Sequence, residues 1–164
     1  MLIALQSALQ GALVCYLSGT MNTGALRVDA GKAWNTYLNG KSGPPAKEKE
    51  LAPLGKLFER AVYGVQDRKH PDKIGFSRDR EFPLLQVNDA QTWHVMNLIE
   101  LRNQFEHFGP TGWIIELSGI PEKIEACVNI IEQIEHDGWA FRHLETSDRA
   151  RLVACLKKLR DSIA

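Results

Sequence analysis

Three side chains suited to acid–base chemistry on an anion stand close together in the run LRNQFEHFGPTGW, Leu101 to Trp113. Arg102 can bind phosphate oxygens bidentately and does not lose its proton in a protein. His107 belongs to the residue type whose unperturbed pKa, about 6.5, lets it take and give protons near neutral pH. Asn103 can orient the imidazole or a phosphate oxygen. These residue types predict a site that holds an anion and transfers protons.

Helical geometry would bring the three side chains into one patch. Successive residues of an α-helix turn by about 100°, so Asn103 and His107 lie roughly 40° apart and one turn from each other. Arg102 lies about 100° back from Asn103, toward the edge of an apolar stripe that includes Leu98 and Phe105. Its long stem can lie on that stripe and bring the guanidinium round to the polar side.

The run RNQFEH, Arg102 to His107, resembles the Arg-x4-6-His motif of the HEPN superfamily (higher eukaryotes and prokaryotes nucleotide-binding), where a polar residue usually follows the arginine. The stretch from Leu101 to Pro121 is similar to a group of uncharacterised bacterial HEPN-like proteins. In that group the motif helix is followed by a Pro/Gly break, a tryptophan and an extended segment. Elsewhere the likeness is limited to the all-α class and the late position of the motif helix.

The resemblance implies a metal-independent endoribonuclease that leaves a 2′,3′-cyclic phosphate and needs no cofactor or metal ion. On this likeness Arg102, Asn103 and His107 are the catalytic residues. Glu100 and Glu106 are candidate supporting residues of this site. Glu100 would lie on nearly the same side of the helix as His107, and Glu106 stands four residues after Arg102. HEPN proteins usually dimerise with their motif helices facing. The resemblance therefore implies a homodimer that acts on RNA, and the superfamily further suggests a toxin or phage-defence effector with an antitoxin partner.

Two other interpretations of the motif stay open. A non-catalytic HEPN module would bind nucleotide, RNA or a protein partner through the same cleft. A structural helical dimerisation domain would use Arg102 in an ion pair with Glu106, and His107 as a cation favoured near a helix C-terminus.

Composition fits one domain, residues 1–164, of 18.4 kDa. Lys plus Arg and Asp plus Glu number 20 each, so bulk charge does not attract a polyanion, although a local basic groove could. The connector from Gln66 to Pro83 is rich in basic residues and is expected to be either a solvated loop or a phosphate-contacting flap. Its candidate RNA-binding residues are Arg68, Lys69, Arg78 and Arg80.

Apolar periodicity predicts helices on both sides of the connector. They cover residues 2–17, 25–38, 48–62 with Leu51 on its buried face, the motif helix from Asn88 or Asp89 to the break at Gly109, a helix opening at Ile120-Pro121, and a last one starting near residue 146. We therefore predict an all-α, HEPN-like bundle of four or five helices. A short extended segment, residues 112–117, should follow the motif helix.

The N-terminal helix is expected in the core. It lacks the basic start of a signal peptide, and Gln6 and Gln10 make it too polar to span a bilayer, so we predict a cytoplasmic protein without membrane contact. The odd number of cysteines, Cys15, Cys127 and Cys155, shows no CxxC spacing. Each lies in an apolar run, which predicts buried free thiols.

Other residues with chemical potential are better explained by structure. Trp93, Trp113 and Trp139 are predicted in the core rather than as platforms for bases. His136 and His143 flank a glycine at a spacing unusual for metal ligands, so surface or capping roles are expected instead.

Overall fold

The computed structural model describes residues 2–18, 23–45, 48–66, 74–75, 84–106 and 119–162. Six helices lie within these ranges: α1 (Leu2–Ser18), α2 (Val28–Leu38), α3 (Leu54–Tyr63), α4 (Asp89–Glu106), α5 (Ile120–His136) and α6 (Thr146–Asp161). Strands β1 (Val65–Gln66) and β2 (Ile74–Gly75) add one antiparallel ladder between α3 and α4. The predicted all-α class is confirmed.

Helix α5 lies at the centre of the described bundle, because α1, α4 and α6 all pack against it. Helix α1 packs in addition against α3 and α4. The side chains at the centre of these contacts are large, apolar and fully buried, among them Leu9, Leu13, Leu57, Phe58 and Ile134. Five helices thus form the bundle, as predicted, and α2 is a sixth helix outside its main contacts.

Helix α1 is the core helix that its apolar pattern predicted. Leu5, Leu9 and Leu13 recur every four residues and are buried on one face. Gln6 is also buried, at 6% exposure, although its side chain is polar. Within the described ranges, no helix combines the length and apolar character needed to cross a membrane.

Helix α3 begins at Leu54 rather than near residue 48 as predicted. Pro53 is its N-cap, and the residue before a proline disfavours helical backbone, so the helix does not extend further back. Leu51 forms an isolated bridge with Leu26 instead and is exposed, which corrects its predicted burial. Arg60 of α3 stabilises the segment around this bridge, because its Nη1 donates to the Leu26 carbonyl at 2.6 Å.

The motif helix α4 has the predicted start signal. The Asn88 Oδ1 accepts from the Gln91 backbone N–H at 2.8 Å, and the Asn88 N–H donates to Gln91 Oε1 at 3.1 Å. This reciprocal pair satisfies two backbone donors that a helix N-terminus leaves unpaired. The Gln86 N–H donates to Gln133 Oε1 at 2.9 Å and joins the entry of α4 to the far end of α5. Helix α4 therefore starts at a fixed place on α5.

The connector between α3 and α4 is only partly described. Val65 lies opposite Gly75 in the two-residue ladder, which the prediction of a polar loop did not include. Residues 67–73 and 76–83 lie outside the described residues. The phosphate-contacting flap therefore stays a prediction, together with its residues Arg68, Lys69, Arg78 and Arg80.

The three cysteines are free thiols with different burial. Cys127 in α5 is buried and Cys15 in α1 is half-buried, but Cys155 in α6 is exposed. The predicted burial of Cys155 was wrong because, among the described helices, α6 packs mainly on α5, so the outer side of α6, including Val153, faces solvent.

We expect an aromatic disulfide reagent to modify Cys155 quickly, Cys15 slowly and Cys127 only after unfolding. The thiolate is the reactive form, and burial raises the pKa of Cys127 to about 12 and also raises that of Cys15. Near pH 8 the Cys127 thiol is then almost entirely protonated. The absorbance of the thiol released from the reagent follows the modification of each cysteine over time. The Cys155→Ser variant should lack the fast phase. Fast modification of all three in the native protein would contradict this burial.

Candidate catalytic site

Two of the three predicted catalytic residues lie side by side in the last turn of α4. Arg102 Nη1 donates to Asn103 Oδ1 at 3.4 Å, a long and therefore weak hydrogen bond. Both side chains are half-buried. A guanidinium and an amide thus meet where α4 approaches Glu106, the last described residue before His107.

Arg102 lies on the core side of α4. It follows Leu98 by one turn, and Leu98 is fully buried. A shallow pocket in the surface lies beside these two residues. Its lining comes from both α4 and α1 and consists of Leu2, Ile3, Gln6, Leu98, Leu101 and Arg102. The arginine stem is therefore held by apolar neighbours at the end of the helix.

Gln6 is a site residue that sequence reasoning missed. It comes from α1, far from Arg102 in the chain, yet both line the same pocket. Burying a polar amide is unfavourable unless it forms hydrogen bonds. A glutamine inside an apolar run could therefore have indicated a polar contact at this position. In the sequence analysis Gln6 was used only as evidence against a membrane-spanning helix. No pattern of neighbouring residues indicates that α1 packs beside α4.

The remaining predicted site residues are only partly described. Glu100 is exposed and accepts from Gln104 Nε2 at 3.4 Å, one turn further along α4. His107 and the side chain of Glu106 lie outside the described residues, as does the predicted extended segment 112–117. The structure thus brings Arg102 and Asn103 together, and the place of His107 stays a prediction.

Among the described residues, no set of metal ligands surrounds the histidines near the end of α5. His136 and His143 are both exposed. The nearby Glu135 carboxylate accepts from Arg149 Nε at 2.6 Å, which joins α5 to α6. In the part of the chain that the structure describes, no three His, Cys, Asp or Glu residues are grouped so that they could hold a metal ion.

Trp93 is not in the core, contrary to prediction. Its side chain is 59% exposed on the outer face of α4. Trp93 lies about 140° around the helix from the buried Leu98, so the neighbours that cover Leu98 leave the indole in solvent. Trp139 is half-buried beneath the Arg142 guanidinium, 4.2 Å from its ring, and Trp113 lies outside the described residues.

Comparisons with known proteins give no relative: no protein-family model, no curated protein and no solved structure matches this chain. The Arg102–Asn103 pair is therefore the described part of the candidate site.

Proposed function

We propose that this protein is a metal-independent endoribonuclease of HEPN type, acting in the cytoplasm as a homodimer. The observation that carries the proposal is the contact between the Arg102 guanidinium and the Asn103 amide in the last turn of α4. His107 follows Arg102 with four residues between them, which is the spacing of the Arg-x4-6-His motif. Cleavage of RNA without a metal needs a proton-transfer group and a fixed cation, which His107 and Arg102 would supply.

In the proposed reaction His107 accepts the proton of a ribose 2′-hydroxyl. The 2′-oxygen forms a bond to phosphorus, the bond from phosphorus to the 5′-oxygen breaks, and the protonated imidazole returns the proton to that leaving oxygen. The products are a 2′,3′-cyclic phosphate and a 5′-hydroxyl end, and no electron acceptor is involved. Arg102 stabilises the charge on the phosphate oxygens, and Asn103 orients the phosphate or the imidazole.

The neutral net charge of the chain is compatible with RNA binding. Lys plus Arg and Asp plus Glu number 20 each, so attraction to a polyanion has to be local. A dimer in which two motif helices face each other would place two copies of Arg102 in one cleft. Arg102 lies in the last turn of α4 beside the apolar Leu98 and Leu101, which supports a site focused at the end of that helix.

The first test is RNA cleavage without divalent metal. We expect the purified protein to cut labelled single-stranded RNA in the presence of EDTA and to leave 2′,3′-cyclic phosphate ends. A DNA strand of the same sequence should stay intact because it lacks the 2′-hydroxyl. Light scattering should give the mass of a dimer at tens of micromolar.

The outcomes separate this function from its alternatives. Cleavage that needs added Mg²⁺, or that leaves 3′-hydroxyl ends, would reject the mechanism. Binding of RNA without products would favour a non-catalytic HEPN module, and a dimer that binds no RNA would favour a structural dimerisation domain. If cleavage is found, a role as a toxin or phage-defence effector follows as a further proposal, with an antitoxin protein as its partner.

A further inference from the structure

We draw no further inference here: the strongest candidate, the shallow pocket between α1 and α4 that the buried Gln6 shares with Arg102, belongs to the candidate site already described.

Discussion

His107→Ala is expected to abolish RNA cleavage, lowering kcat by at least about 100-fold while the fold stays intact. Removing a general acid–base group typically costs between 100- and 10,000-fold in rate. The fold should survive because the described core contacts of α4 are made by buried residues such as Val95 and Leu98. Single-turnover cleavage of labelled RNA measures the rate, and thermal unfolding followed by circular dichroism measures the fold.

His143→Ala is the matched control, because His143 is exposed and lies in the connection between α5 and α6. It should cleave RNA at the wild-type rate. Below about pH 6 the wild type should lose rate, since an imidazole that is already protonated cannot accept the 2′-hydroxyl proton. Equal cleavage by the wild type and by His107→Ala would remove the histidine from the mechanism.

Arg102→Ala should lose activity and in addition bind RNA about 10- to 150-fold more weakly. A charge-assisted contact to a phosphate contributes about 1.5–3 kcal/mol, and removing it affects the bound substrate as well as the reaction. Anisotropy with labelled RNA in EDTA, using a strand with 2′-deoxy sugars as a check against cleavage, gives the Kd. Asn103→Ala should fall between Arg102→Ala and the wild type, because an uncharged amide contributes less to holding an anion.

Arg151→Ala is the matched control for the loss of one positive charge. Arg151 is an α6 residue whose side chain is 82% exposed and lies near Asp148. Its removal should leave the Kd within about twofold, as expected for a surface charge in a weak ion pair. An unchanged Kd in Arg102→Ala would contradict the phosphate contact, and an equal loss in Arg151→Ala would mean that RNA binding depends on total charge.

The all-α class and the start of the motif helix could be predicted because both depend on residues close in sequence. The Asn88–Gln91 capping pair spans one turn, so its two partners meet whenever that turn forms. The neighbouring Arg102 and Asn103 are likewise placed together by the helix itself. Local hydrogen bonds and helical spacing need no knowledge of the tertiary fold.

Burial of a particular side chain was decided by the packing of distant segments. Residue type favoured the core for Trp93, but the neighbours of α4 cover the opposite side, so the indole remains exposed. The same holds for Leu51, which the start of α3 at Leu54 leaves outside the bundle. Apolar character states what a side chain gains on burial, but not whether a neighbour is there to cover it.

The sequence by itself determined which chemical groups the candidate site has, since Arg102, Asn103 and His107 are one short run of the chain. Only the tertiary structure decided what surrounds them. It placed Gln6 of α1 in the pocket beside Arg102, and the ammonium of Lys123 of α5 over the exposed Trp93 ring. These partners are far apart in sequence, and their meeting depends on how α1 and α5 pack against α4, which no local pattern encodes.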